Sequence, residues 1–137
     1  MRIVSACLLG YTCRYDCKSK PHKKVIALFE KEYLTPVCPE QLGGLPTPRT
    51  PSEQQGDKII SKTGEDVTAQ FTEGAQRTLN IAKAKGIEKA IMKQKSPSCG
   101  CGKIYDGTFT GTLIDGDGVT TTLLKKNGIE VITEEDL

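Results

Sequence analysis

Three of the six cysteines in this 137-residue chain accompany the ends of short apolar segments. Each segment is predicted to be a buried strand. The first, residues 2–9, contains Cys7. The second, residues 34–37, is followed directly by Cys38, and the third, residues 87–92, is followed by the loop that contains Cys99. Soft sulfur ligands bind zinc, copper(I) or iron–sulfur clusters. A thiol at a strand end is therefore a candidate metal ligand, and this chain has three.

The elements around these cysteines alternate between strands and helices. Apolar periodicity predicts helices over residues 23–31, from Asp66 or Thr68 to Gly86, and over residues 118–126, with a last strand over residues 129–133. The proline- and glycine-rich residues 39–51 are predicted to be a loop without regular structure. This alternation predicts an α/β fold with a mostly parallel sheet, formed as one domain by residues 1–137.

A parallel sheet would bring the three thiols to one place. Ligands bind outside the carboxyl ends of the strands in such sheets, so Cys7, Cys38 and Cys99 could meet around one ligand. A four-iron cluster is usually held by four cysteines, and with three of them one iron stays open to a substrate atom. Cys13 or Cys17 could instead supply a fourth ligand and close the cluster. The remaining alternatives are structural zinc, which usually takes Cys-x-x-Cys pairs that this chain lacks, and unrelated buried thiols.

Polar residues accompany two of these cysteines. Glu40 follows Cys38 by two residues, and Ser96 and Ser98 come just before Cys99. A carboxylate near a Lewis acid can act as a general acid or base. Taken alone, Glu40 is better explained as a solvated loop residue, and each serine as a turn or cap residue, than as part of a catalytic site.

The composition excludes some classes of function and bounds the compartment. The net charge is +2, the lysines are scattered, and aromatic residues make up 5 % of the chain with no tryptophan, so nothing favours a nucleic-acid surface. No apolar run is long enough to span a membrane. The residues before Cys7 leave no room for a signal peptide. We therefore expect a cytoplasmic protein with reduced thiols and no membrane partner.

Six segments in a fixed order carry a resemblance that covers nearly the whole chain. They are CLLGYTCRYD (7–16), CPEQLGGLPTPRTPSE (38–53), GEDVTAQFTEGA (64–75), KSPSCG (95–100), IYDGTFTG (104–111) and GDGVTTTLLKKNGIEV (116–131). Together they resemble the TudS-type thiouracil desulfidases. The resemblance implies a Rossmann-like three-layer α/β sandwich.

The resemblance also implies a cofactor and roles for particular residues. By matching position, Cys7, Cys38 and Cys99 would hold a 4Fe-4S cluster whose fourth iron is open to the sulfur of a thiolated pyrimidine. Glu40 and Ser96 would act on the substrate. Three further residues of the matched segments are assigned to substrate binding, and they are Asp16, Gly44 and Ser98.

The implied activity is the conversion of 2- or 4-thiouracil, or its nucleoside, to uracil and hydrogen sulfide without net redox change. We expect the protein to lack the additional domain that accompanies this module in relatives acting on thiolated tRNA. A small-molecule substrate is therefore expected, and thiolated tRNA stays open. Cys13, Cys17 and Cys101 are thiols that the family pattern does not require. The alternative function is an electron-transfer or structural module with a fully ligated cluster.

Overall fold

The computed structural model describes residues 1–137 and contains eight strands and four α-helices. In chain order they are β1 (Arg2–Ser5), α1 (Lys23–Phe29), β2 (Leu34–Val37), α2 (Pro39–Leu42), β3 (Ser52–Gln55), β4 (Lys58–Ser61), α3 (Thr68–Lys85), β5 (Lys89–Met92), β6 (Lys103–Tyr105), β7 (Leu113–Asp115), α4 (Val119–Lys126) and β8 (Glu130–Thr133).

Four parallel strands form the central sheet in the order β2-β1-β5-β8. Ile3 of β1 pairs with Thr35 on one side, and Val4 pairs with Ile91 on the other. Most residues of these strands are buried because helices cover a parallel sheet on both faces. The predicted α/β fold with a mostly parallel sheet is confirmed.

The helices complete a three-layer sandwich. Val25 of α1 packs with Val4 on one face of the sheet. Leu79 of α3 and Leu124 of α4 pack with Ile3 on the other face. The chain runs from β1 outward to β2 and then crosses to β5 on the opposite side of β1. The strand order therefore reverses at β1, which is where ligands bind in open α/β sheets.

Helix α3 follows its predicted apolar pattern closely. Its buried side chains include the four that define the predicted stripe, namely Phe71, Ala75, Leu79 and Ala82. The helix ends at Gly86, whose φ of 66° is the left-handed conformation that glycine adopts without strain. At the other end the N-cap position is Val67, whose side chain cannot cap, and the predicted cap Asp66 accepts a hydrogen bond from the backbone N–H of Thr68, the first helical residue, at 3.0 Å.

The prediction of a strand through residue 9 is wrong beyond Ser5. Residues Ala6–Leu9 form one turn of 3-10 helix, which ends at Gly10 with a φ of 101°. The last pair between the two strands is Ser5 with Val37, so the next residues have no partner on that side. Cys7 consequently lies in a tight turn above the sheet edge rather than in the sheet.

The predicted absence of regular structure over residues 39–51 is also wrong. Pro39–Leu42 form the short helix α2, with proline in its first turn, where a missing N–H costs nothing. Just beyond, β3 and β4 form an antiparallel hairpin that the sequence did not predict. A helix of one turn has no hydrophobic period, which explains why the pattern gave no sign of it.

Two glycines set the distance between α2 and α3. A Cβ atom placed on Gly74 would lie 1.9 Å from the carbonyl oxygen of Pro39, and one on Gly43 would lie 1.9 Å from that of Gln70. Only glycine allows these backbones to touch. Because Cys38 directly precedes α2, this contact also positions the cysteine.

We expect Gly74→Ala to lower the free energy of unfolding by about 2–3 kcal/mol, since the added methyl group must separate two backbones. That figure is a net value, which already includes the gain of about 1 kcal/mol in helix propensity when alanine replaces glycine. Chemical denaturation measures the change. Gln76→Ala, at an exposed position of the same helix, is the matched control and should stay near wild type. Equal stability of the Gly74→Ala and control variants would contradict the close approach.

None of the helices combines the length and apolar character needed to cross a lipid bilayer.

Candidate active site

The three strand-end cysteines lie around one cavity of about 540 Å³. Cys7 reaches it from the 3-10 turn after β1, Cys38 from the N-cap position of α2 after β2, and Cys99 from the loop after β5. The strands β2, β1 and β5 are neighbours in the sheet, with β1 in the middle. The parallel topology thus brings together residues that are distant in sequence.

The loop that carries Cys99 is held by its own serine. The Ser96 hydroxyl oxygen accepts hydrogen bonds from the backbone N–H groups of Ser98, at 3.1 Å, and Cys99, at 3.0 Å. Gly118, at the start of α4, approaches so closely that a Cβ atom there would lie 2.4 Å from the carbonyl of Ser98. The Cys99 backbone is therefore fixed from both sides.

Burial determines the protonation of two of these thiols. It raises the pKa of Cys7 to about 11, although the ammonium group of Lys93 acts in the opposite direction. Burial also raises the pKa of Cys99, and the nearby thiols of Cys7 and Cys38 raise it further. Without a bound metal, Cys7 and Cys99 are neutral at pH 7, and a metal would have to displace their protons.

Cys13 is a fourth thiol that lines the cavity, and it pairs with Cys38. The neutral Cys38 thiol lies 3.6 Å from the Cys13 carbonyl oxygen, to which it can donate. A hydrogen bond from the Cys13 thiol lowers the pKa of Cys38 and raises the pKa of Cys13. Among the cavity thiols, Cys38 is the one whose pKa is lowered, to about 7.

The thiols fit an iron–sulfur cluster better than a single ion. All six cysteines are free, and no three His, Cys, Asp or Glu side chains stand close enough to share one metal ion. A zinc site needs its ligands to converge on one point. In a four-iron cluster each cysteine binds a different iron, so the sulfur atoms stay apart around a larger object. Two buried thiols, Cys7 and Cys99, and the partly buried Cys38 line one cavity without converging on a point, which matches the second requirement.

Glu40 lies in the same cavity and is paired with a residue that the sequence reasoning missed. Its Oε2 atom accepts a hydrogen bond from Nη2 of Arg49 at 2.7 Å. The Arg49 side chain is only 6 % exposed, against 20 % for Glu40. One signal was present in the sequence: Arg49 is the only charged residue between Glu40 and Glu53.

Of the remaining predicted site residues, one lines the cavity and three do not. Ser96 lines the cavity with Glu40, whereas the three residues assigned to substrate binding do not line it. Ser98 is 1 % exposed and its hydroxyl group is hydrogen-bonded to that of Thr120 at 2.8 Å. The Asp16 carboxylate accepts a hydrogen bond from its own loop, and Gly44 takes a φ of 93° in the turn after α2.

The lining of the cavity carries more positive than negative charge. Its acidic members are Glu40 and Glu53, and its basic members are Arg14, Lys20, Lys62, Lys93 and Lys95. Of the two Glu53 carboxylate oxygens, Oε1 accepts hydrogen bonds from two backbone N–H groups. Three aromatic rings also line the cavity, namely Tyr15, Tyr105 and Phe109. Such a surface suits a planar ligand that carries negative charge or a soft sulfur atom.

A family model described as 2-thiouracil desulfurase matches residues 3–136. The chain belongs to this family. Within the desulfurase family, a solved structure of the [4Fe-4S]-dependent thiouracil desulfidase TudS matches with a TM-score of 0.94 and 47 % sequence identity, covering 99 % of this chain and 91 % of that one. The uncharacterized protein YbbK of Bacillus subtilis (strain 168) is 44 % identical over 147 residues, which cover 100 % of this chain and 97 % of that protein. The predicted family and fold are confirmed.

Proposed function

We propose that this desulfurase-family protein is a [4Fe-4S]-dependent thiouracil desulfidase, in which residues 1–137 act as one domain. The observation that carries the proposal is the grouping of Cys7, Cys38, Cys99 and Glu40 around one cavity, in a chain so similar to a known desulfidase. The net reaction is thiouracil plus water giving uracil plus hydrogen sulfide. It breaks one C=S bond, forms one C=O bond and transfers no electrons.

Cys7, Cys38 and Cys99 are the residues that would hold the cluster. When bound, a cluster with three cysteine ligands supplies a Lewis-acidic iron with affinity for sulfur, which makes the ring carbon of a thione more electrophilic. The protein's own part is to orient the pyrimidine ring and to manage protons. The aromatic side chains of the cavity supply flat apolar contacts for the ring.

Glu40 is the residue placed to accept a proton from water. Its carboxylate faces the cavity, with Oε2 bound to Arg49 and Oε1 free of protein partners. Water that loses a proton to this carboxylate as it attacks the ring carbon is the general-base step. Glu53, the other carboxylate in the lining, is more buried than Glu40, and its Oε1 atom holds the loop by accepting from the Gly107 and Phe109 N–H groups.

Ser96 has a complementary role. Its oxygen already accepts two backbone hydrogen bonds, so its hydroxyl proton is what it has left to offer a ligand. A donor at this point can bind a ring oxygen or nitrogen and fix the orientation of the thiolated carbon. Ser96 therefore orients the substrate while Glu40 takes the proton.

The test of this function starts from protein reconstituted anaerobically with iron and sulfide. We expect close to one 4Fe-4S cluster per chain, no zinc, and catalytic release of uracil and hydrogen sulfide from 2- or 4-thiouracil, both quantified over time. A chain that binds a full cluster yet releases no sulfide from either compound would favour the alternative of a fully ligated electron-transfer or structural module.

The same assay addresses the form of the substrate. The excess of basic side chains in the lining favours forms that carry negative charge, and the cavity suits a small molecule. Comparing kcat/KM for the free base, nucleoside and nucleotide, with a thiolated tRNA as the macromolecular arm, ranks them directly. We place the reaction in the cytoplasm, where six free cysteines stay reduced.

A further inference from the structure

The charged side chain of Arg49 is buried behind the cavity, and its guanidinium group is held by defined hydrogen bonds. Its Nη2 atom donates to Glu40 Oε2 at 2.7 Å and to the Cys13 carbonyl oxygen at 3.0 Å. Its Nη1 atom donates to Thr47 Oγ1 at 3.0 Å and to the Pro46 carbonyl oxygen at 3.2 Å. The guanidinium group is thus held by four acceptors, of which only Glu40 is charged.

These contacts hold the guanidinium group in place even without Glu40, so the carboxylate is oriented by the guanidinium group and not the reverse. The Arg49 backbone N–H also donates to the Tyr15 carbonyl oxygen at 2.8 Å, so the backbone of this residue is tied to the Cys13–Tyr15 segment. A planar guanidinium group presents its donors in a rigid fork, which a lysine ammonium group cannot reproduce. A flexible glutamate at the rim of a cavity has several rotamers, and one strong bond from a fixed donor selects among them.

We propose that Arg49 is a positioning residue that holds the Glu40 carboxylate in the orientation needed for proton transfer. This inference rests on the proposed function, because it assigns Arg49 a role only through Glu40. By occupying Oε2, Arg49 leaves Oε1 as the atom that meets the attacking water. Misplacing a catalytic group by about 1 Å can cost about a hundredfold in rate, so the expected effect lies on kcat.

A purely structural role makes a different prediction. If Arg49 only tied the Cys13–Tyr15 segment to the Pro46–Arg49 turn, its loss would disturb the cavity wall beside Cys38. Iron content would then fall, or KM would rise, and the damage would be the same with or without a carboxylate at position 40. The two roles are therefore separated by how the effects of Arg49 and Glu40 substitutions combine.

The experiment uses the reconstituted enzyme as wild type, Arg49→Met, Arg49→Lys, Glu40→Gln and the double variant Arg49→Met/Glu40→Gln. We expect Arg49→Met to lower kcat by about 30- to 100-fold, with iron content unchanged and KM changed less than threefold. Arg49→Lys should keep the fold and recover only part of kcat. In the Glu40→Gln background, adding Arg49→Met should change the residual kcat by less than twofold. Arg77→Met, which breaks the exposed Arg77–Glu73 pair on α3, is the matched control.

Each contrary result is distinguishable. Loss of iron, a raised KM with unchanged kcat, or an undiminished effect of Arg49→Met in the Glu40→Gln background would overturn the positioning role and leave the function intact. Wild-type kcat in both Arg49 variants would do the same. Wild-type kcat in Glu40→Gln would instead remove the proposed role of Glu40, on which this inference depends. If Arg49→Met does not fold, the iron content and kcat of Arg49→Lys test the positioning role instead.

Discussion

A Cys38→Ser variant, treated anaerobically with iron and sulfide, is expected to retain little iron and to release no measurable sulfide from thiouracil. Serine is a hard ligand that matches iron poorly, and Cys38 lines the cavity from the N-cap of α2. Cluster content is measured by iron and acid-labile sulfide per chain, and activity by uracil formation. Cys7→Ser and Cys99→Ser should behave alike, because in the proposed site each cysteine would hold a different iron.

The other thiols provide the controls for this prediction. Cys17 is exposed and does not line the cavity, so Cys17→Ser should keep both cluster and activity. Cys13→Ser decides between the two ligation schemes, since Cys13 lines the cavity beside Cys38. Retention of the cluster in Cys13→Ser fits three cysteine ligands and an open iron. Loss of the cluster there, equal to the loss in Cys38→Ser, would contradict that scheme.

Glu40→Gln is expected to lower kcat by about a hundredfold to ten-thousandfold, the usual contribution of a general base. The amide keeps the size of the side chain and can still accept the hydrogen bond from Arg49, but it cannot take a proton from water. The measurement is kcat at saturating thiouracil, with iron per chain determined on the same sample. Iron content should equal that of wild type.

The matched control for Glu40→Gln is Glu73→Gln. Glu73 forms a 2.8 Å ion pair with Arg77 on the exposed side of α3, so the same chemical change occurs far from the cavity. Exposed pairs of this kind contribute at most about 1 kcal/mol, and no loss of activity is expected. A Glu40→Gln enzyme as fast as this control would show that another group activates the water.

The fold was largely predictable because its strongest signals are local. The stripe through α3 and the glycine after it need no tertiary information, and the buried runs around Ile3 and Ile91 read as interior parallel strands. Once three such strands are taken as parallel neighbours, general topology brings their carboxyl ends to one edge. The grouping of Cys7, Cys38 and Cys99 was predicted from that rule alone, because their spacing along the sequence does not indicate it.

What the sequence did not reveal depends on contacts between distant loops. Helix α2 is too short to have a period, and its place is set by the contact of Gly43 with Gly74. The Arg49–Glu40 pair forms only because a proline-rich turn folds back beneath the helix. Ser98 looked like a partner for a ligand because it stands next to Cys99, yet its hydroxyl group meets Thr120 inside the protein. Sequence adjacency does not say to which side a loop residue points.

The wide separation of Cys7, Cys38 and Cys99 along the chain has a consequence for how the active enzyme is made in the cell. The three proposed ligands lie on segments that meet only where β2, β1 and β5 pair, so the full set exists only once the sheet has formed. Zinc fingers, by contrast, fold around their metal. A cluster held by these three cysteines would therefore be completed after the sheet has formed, with iron entering through the cavity mouth.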